Sequence, residues 1–410
     1  MDVKAIKRVA KKILRLLKTE NPGSLANKVK QLAVKNDIIA HYSFIESSEM
    51  DCEIESFNLN FNGTMTINWI IPEMGIGSGG HINIFRFINQ LERRGHINRV
   101  YVMNGNRFNS NESLRSFLIA HYNLSPESST LFYNSVNDMD YSHITIATSW
   151  HTAYEVKKFR KTYEKFYFVQ DFEPVFYSVG TEFILAENTY KFGFKGITAG
   201  NWLSEKLESE YNMRCQSVGF SYDKDLYIPT TKRQPELKQV LFYARPVTPR
   251  RLFEMGLLIL NELHKIRPET GIIFAGWDVS NYEIPFPHLN AGSVSINELP
   301  DLYSQCDLGL VLSGTNLSLL PLEMMACNCL VVSNKGPNVE WLLNEGNSSL
   351  VDIDYKAIAI EMARLLDDDA ERQEKIKKAY DFAINTSWDK EADKFELFLK
   401  EELLKKYEQD

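Results

Sequence analysis

Twice along the chain, short β-rich runs alternate with helix-like segments, and this alternation limits the fold more than any other feature of the sequence. The first series starts at residue 64 with TMTINWII and continues through RVYVMNG, HITIATSW, KFYFVQD and GITAG. Helices are expected after the glycine-rich stretch at 75–80 and from Asn201, a residue suited to capping a helix start. The second series holds VLFYARP, GIIFAGW, GSVSI, LGLVLSG and CLVVSN. Between the two, YIPTTKRQPELKQ (227–239) is polar, carries two prolines and marks a linker. Strands that alternate with helices pair in parallel and are covered on both faces. The expectation is therefore an α/β protein with two doubly wound units in tandem, which suits a length of 410 residues. The expected boundaries are a helical extension over 1–63, a first domain over 64–232 and a second over 233–385. A charged helix over 386–410 follows, docking back on the first domain through Trp388, Phe395, Phe398 and Leu399.

Composition narrows the function classes. A hydrophobic content of 44% and a charged content of 24% are those of an ordinary globular protein. No apolar run reaches the roughly 18 residues of a membrane span, and no signal-peptide core is present, so a cytoplasmic location is expected. Five cysteines without C-x-x-C spacing indicate neither a disulfide framework nor a zinc site. A net charge of −8 argues against nucleic-acid binding. Residues 1–20 are a local exception: Val3, Ile6, Ala10, Ile13 and Leu17 share one helical face, while Lys4, Arg8, Lys11, Arg15 and Lys18 share another. Such a helix either lies on an anionic membrane, here the inner face of the cell membrane, or packs its apolar stripe on the protein.

The stretch INWIIPEMGIGSGGH contains G-x-G-x-x-G at Gly75, Gly77 and Gly80. A dinucleotide fingerprint needs its first glycine tight against the strand end and an acidic residue closing the second strand. Here Pro72-Glu73-Met74 intervenes, and the second strand runs into Asn104, Gly105 and Asn106. A Rossmann-type oxidoreductase is thereby demoted. Four glycines in six residues (Gly75, Gly77, Gly79, Gly80) still favour a ligand loop over a single tight turn.

In open α/β sheets ligands bind beyond the carboxyl ends of the strands. At one such end Arg245, Arg250 and Arg251 share a strand-to-helix loop, with fixed charge and fork geometry suited to phosphate oxygens. At another, Ser313, Gly314, Thr315, Asn316 and Ser318 lead into an apolar helix carrying Glu323. Free N–H groups near Ser318 and Leu319 suit a phosphate, and a carboxylate among apolar neighbours requires a hydrogen-bonding partner such as a ribose hydroxyl. Two D-x-D strings, Asp138/Asp140 and Asp352/Asp354, read as solvated turns that do not follow strand ends.

This combination resembles glycosyltransferase family 4, retaining enzymes of GT-B fold, and most closely the bacterial rhamnosyltransferases that use dTDP-L-rhamnose for surface glycans such as O-antigen. The family's glycine loop is similar to GIGSGGH, its donor-phosphate pair to Arg245 with Arg250 or Arg251, and its G-x-V passage to GSVSINELPDLYSQCDLGL. Its E-x7-E motif is similar to Thr315 through Glu323, although Thr315 stands where the first glutamate belongs. ATSWHTAYEV and YFVQDFEPVFYSVG resemble the rhamnosyltransferase branch.

The resemblance implies that Asp171, Arg245, Arg250 and Glu323 carry the transfer, with Glu323 on the nucleotide ribose. Gly79, Gly80, Arg251, Thr315, Asn316, Leu317 and Ser318 join them on the donor side, and His81, His151, Asp171 and Glu173 form the acceptor side. It further implies retention by front-face attack, with no metal and no cofactor beyond the nucleotide-sugar co-substrate. The implied partners are a nucleotide sugar and a glycan acceptor, lipid-linked in one version. A non-catalytic scaffold of the same fold is the rival reading that the substitution at Thr315 raises.

Overall fold

The computed structural model describes residues 38–45, 61–75, 78–105, 107–122 and 124–407. The basic stretch 1–20, Gly77 and Asn106 lie outside these residues. Residues up to Glu53 form a separate unit, of which a helical turn at Ile38–His41 and a 3-10 turn at Ser43–Ile45 are described. Everything below concerns the unit from Ile54 onward.

The first sheet has seven parallel strands in the order β3-β2-β1-β4-β5-β6-β7. Its members are β1 (Thr66–Pro72), β2 (Ile97–Met103), β3 (Leu131–Tyr133), β4 (Ser142–Ala147), β5 (Thr162–Val169), β6 (Lys195–Ala199) and β7 (Cys215–Val218). Between them run α1 (Gly79–Arg93), α2 (Asn111–His121), α3 (Trp150–Lys158), α4 (Thr181–Asn188) and α5 (Asn201–Tyr211). Residues 66–71 of β1 and all of β4 are buried, as in strands covered on both faces, although β4 includes the polar Ser142, His143 and Thr145. The cap of α5 differs from expectation. Gly200, at φ +86°, precedes the helix and Asn201 is its first residue, its side chain turned forward to Glu205 Oε1 at 3.3 Å.

The second sheet has six parallel strands in the order β10-β9-β8-β11-β12-β13. These are β8 (Gln239–Tyr243), β9 (Gly271–Ala275), β10 (Leu289–Gly292), β11 (Leu308–Leu310), β12 (Leu330–Asn334) and β13 (Ser349–Val351). Here β10 ends where GSVSI was expected to begin one. The helices are α6 (Phe253–Ile266), α7 (Leu299–Gln305), α8 (Leu320–Ala326), a helical turn at Pro337–Glu340, then α9 (Tyr355–Asp367), α10 (Asp369–Ile384) and α11 (Trp388–Tyr407). Residues 219–238, between the sheets, carry neither helix nor strand.

The last helix returns to the first sheet. Phe395 of α11 is fully buried, stacks on Phe87 of α1 at 4.7 Å and meets Phe168 of β5 at 5.6 Å. Arg94–Asp393 and His96–Glu396 pairs line its edge at 2.6 and 2.9 Å. A single apolar core runs from Ile70 and Tyr167 in the first sheet through Phe220, Tyr227 and Leu317 to Leu241 and Val331 in the second. Continuous burial of this kind docks the two domains rather than merely tethering them. Among the described residues, no helix is long and apolar enough to cross a membrane.

Candidate active site

The strand order reverses between β1 and β4 in the first sheet and between β8 and β11 in the second. Loops leaving such neighbours diverge to opposite faces and open a crevice at the carboxyl edge. The β1 loop leads to α1, which starts at Gly79 with no side-chain cap hydrogen bond. Gly75, Gly79 and Gly80 all lack a left-handed φ, and a Cβ on Gly75 or Gly79 would meet open space. These glycines leave exposed backbone at the helix start rather than making a tight turn.

His81, in the first turn of α1, has Nδ1 2.7 Å from Ser78 Oγ and Nε2 3.3 Å from the Pro72 carbonyl. Burial lowers its pKa, which favours a neutral ring. Across the crevice His151 lies in the first turn of α3, its ring 3.6 Å from that of Trp150. The two histidines thus flank the first-sheet crevice.

The second-sheet crevice holds the arginines. The Arg251 guanidinium donates to Ser313 Oγ at 2.7 Å and to the Asn316 carbonyl at 3.0 Å, so it braces the loop after β11. Arg250 pairs with Asp171 Oδ2 at 3.5 Å, not aligned as a hydrogen bond, and its guanidinium lies 4.1 Å from the Phe176 ring. Arg245 is half-buried, 6.0 Å from the Trp277 ring, and has no carboxylate partner among the described residues. Of the three, Arg245 keeps its charge most available. Thr315 and Asn316 are buried in the same loop, the Leu317 side chain is in the apolar core, and Ser318 is half-buried before α8.

Asp171 was expected on the acceptor side, but its carboxylate is tied to the second domain. Oδ2 accepts from Thr315 Oγ1 at 2.9 Å, and Oδ1 accepts from the Asn316 N–H at 3.0 Å. Burial pushes its pKa up, against the pull of Arg251 and of the Asn316 N–H. The Glu173 carboxylate is spent inside the first domain, on the Trp150 N–H at 2.9 Å and the Tyr167 hydroxyl at 2.6 Å. Burial pushes its pKa up to about 7.

Glu323 keeps different company. Its carboxylate, half-buried in the first turn of α8, lies near Tyr227 and within the electrostatic reach of Arg86 on α1. Burial raises its pKa to about 7. The sequence did not single out Arg86, Tyr227 or Gln170, whose roles depend on pairing across distant segments.

A pH prediction follows from Glu173 and Glu323. Unfolded, both ionise near 4.5; folded, near 7. Between those values the folded protein holds protons that the unfolded chain has released, so stability falls as pH rises through this window. Melting temperature should decline from about pH 5 to about pH 8, and Glu323→Gln should flatten part of that decline. An unchanged slope in the variant would remove Glu323 from this account.

The D-x-D pairs need one correction. Asp352 does follow a strand end, that of β13, but its partner Asp354 caps α9 by accepting from the Ala357 N–H at 2.8 Å. No group of three or more His, Cys, Asp or Glu residues among those described is placed to hold a metal ion.

Comparison with known proteins agrees with this architecture. Sucrose-phosphate synthase from Thermosynechococcus elongatus superposes with a TM-score of 0.62 at 13% identity, over 82% of this chain and 98% of that one. Anabaena HepE in complex with UDP gives 0.62 at 14% identity, over 82% and 100%. This chain has the GT-B glycosyltransferase fold. Residues 127–201 match the family described as WsaF, N-terminal domain, and 238–363 match WsaF, C-terminal domain. The O-antigen biosynthesis protein RfbC of Myxococcus xanthus is 30% identical over 336 residues, 80% of this chain. The match spans only 26% of that longer protein. WaaG, described as a glycosyltransferase involved in lipopolysaccharide biosynthesis, shares the fold at a TM-score of 0.55 and 13% identity, over 82% of this chain and 99% of that one.

Proposed function

We propose that this GT-B chain is a retaining glycosyltransferase that moves a sugar from a nucleotide sugar to a growing surface polysaccharide of the O-antigen kind. The observation that carries the reading is the placement of Arg245 and Arg250 at the β8/β11 reversal, where an open α/β sheet receives its ligand. As the anomeric C–O bond breaks, its electron pair stays on the diphosphate oxygen, and the two guanidinium groups stabilise that growing charge. The acceptor hydroxyl attacks from the same face and passes its proton to the departing phosphate. His81 and His151 line the first-domain side, where the acceptor enters.

The donor we favour is dTDP-L-rhamnose, on the likeness of ATSWHTAYEV and YFVQDFEP to the rhamnosyltransferase branch of family 4. Similarity to HepE, whose structures hold UDP and UDP-glucose, keeps uridine donors in the test set. Glu323, beside the cleft, is assigned to the ribose, and cytoplasmic activity at the inner membrane face suits a lipid-linked acceptor.

Charge neutralisation by arginines requires no cation, so transfer should survive a chelator. The check is nucleoside diphosphate release with and without EDTA; loss of activity that Mn²⁺ or Mg²⁺ restores would contradict it. One observation favours a non-catalytic scaffold instead: Arg250 already has a carboxylate partner, Asp171. Turnover of any nucleotide sugar by the full chain separates the two.

A further inference from the structure

The loop after β11 is gripped by the other domain. Asn316 Nδ2 donates to two carbonyls of the first sheet's carboxyl edge, Gln170 at 3.0 Å and Ala199 at 2.7 Å. Both partners are acceptors, which fixes which end of the amide is nitrogen. The Asn316 N–H and the Thr315 hydroxyl both reach the Asp171 carboxylate. Gln170 continues the chain of contacts to the glycine loop: its Nε2 donates to the Gly80 carbonyl at 2.9 Å and its Oε1 accepts from Asn83 at 3.2 Å. Within the second domain the loop is fastened by Ser313, whose N–H donates to Asn334 Oδ1 at 2.9 Å, by Asn338, which donates to the Thr315 carbonyl at 2.6 Å, and by Arg251, which donates to Ser313 Oγ and the Asn316 carbonyl. The Asn316 side chain has all its bonds in the first domain. It is 1% exposed, so no water substitutes for those bonds when a first-domain partner is removed.

We propose that Asp171 and Gln170 of the first domain are positioning residues that set the donor-side loop Ser313–Ser318 of the second, through the Asp171 carboxylate and the Gln170 carbonyl acting on Thr315 and Asn316. This deepens the glycosyltransferase reading and rests on it for the word donor. A donor diphosphate at this loop competes with Asp171 for Arg250. The role assigned to Asp171 differs from the acceptor-side role expected from the sequence, and the difference is measurable. A residue that shapes the donor loop moves donor KM, whereas one that orients the acceptor hydroxyl moves kcat at saturating donor.

The experiment is hydrogen exchange of peptides covering 311–319 in the full chain without ligand, comparing wild type with Asp171→Ala. The substitution lies in one domain and the readout in the other. Exchange in 311–319 is expected to speed up roughly tenfold while β1 and β8 stay protected. Unchanged exchange in 311–319 would overturn the proposal. Should Asp171→Ala lose protection in β1 and β8 as well, Thr315→Val, which deletes only the hydroxyl bonded to Asp171, takes its place with the same two outcomes. Asn316→Asp sets a carboxylate oxygen against two carbonyls and is expected to exceed Asn316→Ala in effect; the reverse order contradicts the proposal.

In turnover, Asp171→Asn is expected to raise donor KM roughly tenfold with a smaller change in kcat. A lowered kcat at unaltered donor KM would return Asp171 to the acceptor side. If wild type turns over no nucleotide sugar, the functional reading fails, while the exchange result still decides whether the first domain grips the loop.

Discussion

Under the proposed function, Arg245→Ala is expected to lower kcat/KM for sugar transfer by roughly a hundredfold and to leave the melting temperature close to that of wild type. The size follows from what the side chain does in the resting protein, which is little. Arg245 is half-buried beside Trp277, makes no ion pair with a described carboxylate and contributes nothing to the apolar core. Its value lies in the charge it presents at the β8/β11 crevice. Such a charge counts most where water is excluded and negative charge develops on a leaving group. Arg250→Ala is expected to impair transfer too, but through two effects, since it leaves Asp171 buried without its 3.5 Å partner. Comparing the two by steady-state kinetics and thermal melting separates them. A normal rate for Arg245→Ala would place the diphosphate elsewhere.

Gly200→Ala should be strongly destabilising, at about 2–4 kcal/mol. Gly200 sits at φ +86°, where L residues are strained, and an added Cβ would lie 2.5 Å from a ring carbon of Trp341. Trp341 belongs to the second domain and packs edge-on to Phe220 at 5.2 Å. The glycine therefore lets an indole of one domain rest directly on the backbone of the other. Thermal or urea unfolding measures the effect, and a midpoint indistinguishable from wild type would show that the Trp341 contact is easily displaced.

The central strands were legible in the sequence and the edges were not. Strands β1, β5, β8 and β12 carry the apolar runs WII, FYFV, VLFY and LVV, and β4 carries Ile144 and Ile146 around the β-branched Thr145, because helices cover both faces of each sheet. The misread elements are β3, β7 and β13, which were missed, and β10, which was displaced along the chain. They are the four edges of the two sheets. Edge strands here are three or four residues long, too short to show a strand period, and each is at least partly exposed. The missed β13 is also why Asp352 was read as lying away from a strand end.

The site divides in the same physical way. Arg245, Arg250 and Arg251 lie within one loop, so their convergence was visible as a local cluster. Arg251 still proved to be a brace for the neighbouring loop, because a sequence gives no partner for a donor. Asp171 and Thr315 are 144 residues apart, and nothing local signals that they meet. The approach of Arg86 to Glu323 is hidden for the same reason. Glu173 looked like a strand-end candidate, yet its carboxylate satisfies Trp150 and Tyr167 within its own domain.

Calorimetric titration of the full chain with UDP and dTDP, in wild type and in Arg245→Ala, tests the donor site itself. Saturable one-site binding of at least one of them to wild type is expected, with affinity lost or much reduced in the variant. Equal binding to both proteins, or no binding of either nucleotide to wild type, would contradict a donor site at the β8/β11 crevice.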